Sequence, residues 1–170
     1  MEKSAAEVIE LVYQAINNRD ITTAVQWIDE NCVYQDVNFA SSFEGKEAVR
    51  NLFEESCNNV PDDFKFVIDE MTTGDPLKVG VLWHVELGNI PFPNGRGVSF
   101  YRISETSRKL IFARDIVEPP LKPGKASFLI IRFVTPLIRR FFKGDDKAER
   151  RQPLLSKFLW LLSGTYIYLL

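Results

Sequence analysis

Asp115 is the residue of this 170-residue chain best placed by type and setting to do chemistry. It stands in Leu110-Ile-Phe-Ala-Arg-Asp115-Ile-Val117, whose alternation reads as a strand, on the side shared with Ile111 and Ala113. A carboxylate on an apolar strand face costs free energy unless it is paired or neutralised. Burial raises its pKa and makes it a usable general base. The structural alternative is an ion pair with Arg102 or another arginine that fixes the sheet. Tyr34 and Asp36 lie two residues apart, and so share one face of a second short strand. His84 is the only histidine, hence the one side chain poised to titrate near neutrality. It alternates with Glu86 on the face opposite Trp83 and reads as a solvent-facing or interface residue. One histidine and two distant cysteines do not make a zinc site, and no nucleophile elbow, phosphate loop or dinucleotide fingerprint occurs. The expectation is no cofactor, no metal and no nucleic acid.

These residues need a scaffold. Residues 76–119 read as three consecutive antiparallel strands rich in Val, Ile, Phe, Tyr and Trp. Pro93-Asn94-Gly95 is expected to break the first pair and Ser104 to Lys109 to turn the second, with Pro119-Pro120 ending the ladder. Gly95-Arg96-Gly97 reads as hairpin punctuation. In the first of these strands Val79, Val81, Trp83, Val85 and Leu87 point one way, and Leu82, His84 and Glu86 the other. Both faces carry apolar groups, so each needs a cover. Phe64, Phe66, Phe92, Phe100, Tyr101 and Phe112 read as core, with the wall of an apolar pocket as the alternative for some of them.

Upstream, Ser4 and Glu7 form a capping-box pattern before Ala5, Val8, Ile9, Val12, Ala15 and Ile16, one apolar helical stripe. Asp20 can cap a short second helix holding Ala24, Val25 and Ile28. A strand at 32–37, a helix at about 46–58 and a strand over Phe64, Phe66 and Ile68 follow. Helices first and a meander after them predict an α+β fold.

Hydrophobic content of 45% with 26% charged residues is ordinary globular composition, and the length suits one main domain. Cys32 and Cys57 are too few for a disulfide framework and read as buried thiols in a reducing compartment. Residues 1–119 carry 11 Lys and Arg against 20 Asp and Glu, a net of −9, whereas residues 120–170 carry 10 against 3, a net of +7. That asymmetry points to an anionic partner for the tail. Read as a helix, Ala126 to Phe142 places Lys125, Arg132 and Arg139 on a basic edge beside a wide apolar face with Phe128, Ile131 and Val134. Pro136 is expected to kink it or end its first half. A second apolar run, Leu154 to Leu170, includes Trp160. Neither run has the ~18–20 unbroken apolar residues of a membrane span, but an apolar face edged by Lys and Arg suits an interfacial helix. Phe128, Ile131, Arg132, Arg139, Arg140 and Trp160 are therefore candidates for membrane or partner contact. Packing of the tail on the outer face of its own sheet is the alternative.

The helical pair, the run VYQDVNFASSFEGKEAVRNLF and the meander after it resemble the SnoaL-like branch of the nuclear transport factor 2-like superfamily, over about Ser4 to Pro119. The resemblance implies a cone: a curved antiparallel sheet packed on N-terminal helices with a pocket inside, here followed by a helical tail. Residues 1–119 would be the cone domain and 120–170 the basic, apolar extension. Trp83, Tyr101 and Ile111 are expected to line the pocket. SnoaL-type cyclases place an aspartate base on the closing strand, and that position falls on Asp115. They carry His-Trp just before it, whereas this chain has Ala113-Arg114. Tyr34 and Asp36 resemble the Tyr and Asp of ketosteroid isomerases in type but not in spacing. The runs PFPNGRGVSFYRI and ARDIVEPPLKPG further resemble a plant and algal plastid-targeted subgroup. This implies a membrane-associated plastid protein, a cytoplasmic one being the alternative. The resulting expectation is a non-enzymatic binding or assembly module held at a membrane or membrane protein complex. The alternatives are a cyclase or isomerase with Asp115 as base, or a carrier of a hydrophobic ligand. A homodimer through the outer sheet face is the further partner left open.

Overall fold

The computed structural model describes residues 2–119 and 122–142. The chain divides into two compact units, residues 1–120 and 121–170. The first unit is α+β. Helix α1 (Ala5–Asn17) starts on the Ser4–Glu7 capping box, in which the Ser4 hydroxyl accepts from the Glu7 amide while Glu7 accepts from the Ser4 amide. Helix α2 (Ile21–Gln26) is capped by Asp20, which accepts from the Thr23 amide at 3.0 Å. Strands β1 (Ile28–Asp36) and β2 (Phe43–Glu44) precede α3 (Lys46–Asn58). The remaining strands are β3 (Phe64–Met71), β4 (Lys78–Leu87), β5 (Ile90–Ile103) and β6 (Leu110–Val117).

The six strands form one sheet in the order β2-β1-β6-β5-β4-β3. Strands β3 to β6 are the expected antiparallel meander, and β1 adds to it parallel to β6. The apolar stripe of α1 packs on the inner face, where Val8, Ile9, Val79, Val81, Ile103 and Leu110 are buried. Asn17 fastens the end of α1 to β3. Its Nδ2 donates to the Phe66 carbonyl at 2.8 Å and its Oδ1 accepts from the Phe66 amide at 2.9 Å, so one side chain stands in for a missing strand.

Four local expectations are corrected. Ile28 opens β1 instead of lying in α2. The β4–β5 turn is Gly88-Asn89, both with positive φ (59° and 63°), as a tight two-residue hairpin requires, and not Pro93-Asn94-Gly95. The latter sits inside β5 as an irregularity between the pairs His84–Arg96 and Glu86–Pro91, with Asn94 at φ 56°. Gly95 and Gly97 are likewise not turn residues: a Cβ on Gly97 would strike the Trp83 ring, and one on Gly95 would strike Val85. In β6 the register shifts between Ile103–Leu110 and Arg102–Phe112. Ile111 is the extra residue of this bulge, so Leu110 and Ala113 both turn inward and are fully buried.

The outer face behaves differently from expectation too. Leu82, Val98, Phe100 and Ile116 are exposed, and Phe112 lies beneath the Arg102 guanidinium at 5.0 Å from its ring centroid. Phe100 and Phe112 are therefore not core residues. In the second unit, α4 (Ala126–Phe142) runs as one helix through Pro136. Phe128, Leu129, Ile131 and Phe133 on it are exposed, as are Arg132 and Arg139. Arg140 belongs to α4, but its side chain, like Trp160 and the run Leu154 to Leu170, lies outside the described residues. Among the described residues no helix is long and apolar enough to cross a membrane.

Candidate functional site

Cross-strand register builds the site. On the inner face Asp36, Asp115, Ser99 and Val81 form one row across β1, β6, β5 and β4. Tyr34, Ala113, Tyr101 and Val79 form the next. Asp115 therefore lies beside Asp36 and Ser99, one row from two tyrosines. The Tyr34 hydroxyl donates to Asp115 Oδ2 in a short hydrogen bond. The Trp83 indole Nε1 donates to Ser99 Oγ at 2.8 Å, and the Tyr13 hydroxyl from α1 meets that of Tyr101 at 3.0 Å. Asp115 Oδ1 is buried and has no hydrogen-bond partner among the described residues.

Tyr13, Tyr34, Asp36, Trp83, Tyr101 and Asp115 line a half-open cavity of about 390 Å³, walled by aromatic and aliphatic side chains from α1, α3 and the sheet. The volume falls within the ~300–1,000 Å³ usual for small-molecule sites. Burial pushes the Asp115 carboxyl above its ordinary pKa; the hydroxyls of Ser99 and Tyr34 temper the rise, the charge of Asp36 adds to it, and Tyr101 tempers it further. Tyr13, Tyr34 and Tyr101 are raised as phenols, first by burial and then by the Asp115 charge, and stay protonated. A buried carboxylate with one free oxygen among neutral phenols can accept a proton, and the phenols can stabilise an oxygen that gains charge.

Of the expected site residues, Asp115, Tyr34, Asp36, Trp83 and Tyr101 all line this cavity. Ile111 does not: the bulge gives its place to Leu110. The expected Asp115–Arg102 pair is absent because Arg102 sits over Phe112 on the opposite face. Phe64, Phe66 and Phe92 are wall residues of the cavity, the last carried by the β5 irregularity. Tyr13 and Ser99 were missed. Tyr13 follows Ile9 by four and precedes Ile16 by three, so the helical stripe contained its signal. Ser99 alternates inward with Gly97, Tyr101 and Ile103, which was readable as one strand face. His84 is on the outer face, with Nδ1 2.7 Å from Asp69 and Nε2 3.2 Å from Glu86. No cluster suited to a metal ion occurs among the described residues. Both cysteines are free; Cys32 is buried, and burial pushes its thiol up to about 12.

Known structures share this architecture. An NTF2-like protein from Cytophaga hutchinsonii, of unknown function, superposes with a TM-score of 0.54 at 14% identity, over 75% of this chain and 97% of its own. A cystatin-like-fold protein from Nostoc punctiforme, also of unknown function, gives 0.56 at 16%, over 73% and 100%. A candidate SnoaL-like polyketide cyclase from Shewanella denitrificans gives 0.53 at 17%, over 65% and 88%. The epoxide hydrolase/cyclase-like enzyme SalBIII, with a role in pyran ring formation in the polyether salinomycin, gives 0.53 at 20%, over 66% and 88%. No curated protein matches in sequence. At these identities the structures establish the fold alone. The family follows from sequence: residues 9–108, from the inner stripe of α1 to the end of the β5–β6 turn, match the SnoaL-like domain, and the chain belongs to that family.

Proposed function

We propose that the first unit binds an apolar small molecule in its cavity and that Asp115 moves a proton on it, as an isomerase or cyclase does. The observation that carries this reading is Asp115 on the wall of a cavity large enough for a ligand, its Oδ1 enclosed and without a hydrogen-bond partner among the described residues. Tyr34 occupies Oδ2, so Oδ1 is the atom left to take a proton. Apolar surroundings make the carboxylate a stronger base than in water. The Tyr13–Tyr101 pair, one of whose hydroxyls donates to the other, has one O–H left to donate to an oxygen on which charge develops. The cyclase-like neighbours agree with this reading of the fold and add no residue-level evidence.

Enolisation of an apolar ketone tests it without knowledge of the natural substrate. The full chain should accelerate deuterium uptake at C1 of 2-tetralone in D₂O, followed by proton NMR. Asp115→Asn keeps the shape of the side chain, removes the base and should return exchange to the buffer rate. Tyr34→Phe removes a donor that favours the carboxylate, so the acid limb of the pH profile should move to higher pH. Exchange that persists within a few-fold in Asp115→Asn rejects Asp115 as the base.

A second reading, a module held at a membrane surface, is favoured by α4. Its exposed Phe128, Ile131 and Phe133 accompany exposed Arg132 and Arg139 on one helix. Apolar burial together with attraction to anionic lipid holds such helices at an interface. The two readings concern different units and are compatible.

A further inference from the structure

The charges around the cavity are one-sided. Asp36 and Asp115 are register partners on neighbouring strands and both line it. No lysine, arginine or histidine lines it among the described residues. Two like charges in one site oppose each other's ionisation, and a buried carboxylate with an empty lone-pair site carries an unmet desolvation cost. From the elements packed around it, Asp115 faces Tyr34 and Asp36 of β1, Tyr13 of α1, and Ser99 and Tyr101 of β5, none of them cationic. The Asp115 carboxylate thus has hydroxyl neighbours but no counter-ion among the described residues. Aromatic rings form much of the wall, including Phe53, Phe66 and Trp83, and aromatic faces attract cations.

We infer that the ligand of this cavity is an apolar, ring-bearing amine in its protonated form, its ammonium group on Asp115 Oδ1 and its rings against the aromatic wall. This rests on the reading of the cavity as a small-molecule site and not on proton transfer: while an ammonium sits on Oδ1, Asp115 serves it as a counter-ion rather than as a base. A single positive nitrogen satisfies the orphaned oxygen and relieves the repulsion between the two carboxylates. An uncharged ligand does neither, and an anion meets two carboxylates and no partner.

Three probes of similar shape separate the cases: 2-naphthylmethylamine (an ammonium ion near neutrality), 2-acetonaphthone (neutral) and 2-naphthoate (an anion). Isothermal titration of the full chain near pH 7 should show the ammonium binding about tenfold or more tighter than the ketone, from one charge-assisted hydrogen bond. Naphthoate should bind weakest. In Asp115→Asn the ammonium and the ketone should converge to within about threefold, and Asp36→Asn should narrow the gap partway. Should Asp115→Asn not fold by circular dichroism, pH serves in its place. Raising pH through the titration of Asp115 should tighten the ammonium in the native protein and leave the ketone unimproved. Equal or tighter binding of the ketone, or a preference untouched by both Asp115→Asn and pH, overturns the inference while leaving a ligand cavity standing. Failure of all three probes to bind overturns the inference and the ligand-cavity reading together.

Discussion

Gly97→Ala is a one-methyl change whose sign is decided by the packing behind the site. Gly97 does not have a positive φ, so alanine can adopt its backbone, and the stiffer unfolded chain alone would stabilise the protein by about 0.4–1 kcal/mol. Against that, the new Cβ would lie 2.6 Å from two carbons of the Trp83 ring and closer still to a third. The ring has little freedom to retreat. Its Nε1 donates to Ser99 at 2.8 Å, and Phe66 meets it edge-on with centroids 5.5 Å apart. Forcing a methyl into a packed core costs about 1–3 kcal/mol, and losing the indole hydrogen bond costs about 1 kcal/mol more. The clash wins, with a net destabilisation of about 2 kcal/mol. Urea denaturation of the full chain, followed by far-ultraviolet circular dichroism, measures it. The same substitution in a Trp83→Leu background, where the ring is gone, should be close to neutral, which makes the coupling between the two positions about 2 kcal/mol. A cost below about 0.5 kcal/mol, or an equal cost in both backgrounds, refutes the reasoning. Because Trp83 holds Ser99 beside Asp115, the change should also impair the cavity.

Two further outcomes concern the outer face and the tail. His84 has its pKa raised by its hydrogen bond to Glu86; burial opposes the rise, and the hydrogen bond and charge of Asp69 add to it. A raised histidine stabilises the fold fully below its unfolded pKa and loses that contribution as pH rises through the folded value. Stability of the native protein should therefore fall more than that of His84→Gln as pH rises above the ordinary histidine pKa; parallel curves would show that the two carboxylates do not hold a charged ring. For the tail, the full chain should float with vesicles of phosphatidylglycerol and phosphatidylcholine. High salt or Arg132→Glu with Arg139→Glu should release it, whereas a chain that stays in the soluble fraction under all conditions removes the membrane reading.

Features with local causes are legible in the sequence. The Ser4–Glu7 capping box, the Asp20 cap, the span of α3 and the inward set Val79, Val81, Trp83 and Val85 all hold in the structure. Each depends on a period of 3.6 or 2 residues, or on a cap within four residues, so a short window of sequence contains its whole cause. Asp115 was also legible as an acid on an apolar strand face. Its surroundings were not. Parallel pairing of β1 with β6 brings Tyr34 and Asp36 to Asp115 across about 80 residues of chain. The bulge at Ile111 exchanges that residue for Leu110, and the fit of Trp83 over Gly97 and Val85 against Gly95 keeps β5 continuous past a stretch that looks like a turn. Alternation assigns a strand two faces but cannot count across a bulge, because one extra residue flips every position after it. Sequence alone therefore determined most of the elements, the faces of their regular stretches and the acid. The tertiary structure decided which oxygen of that acid is left free, since only packed neighbours can occupy the other one and keep water away.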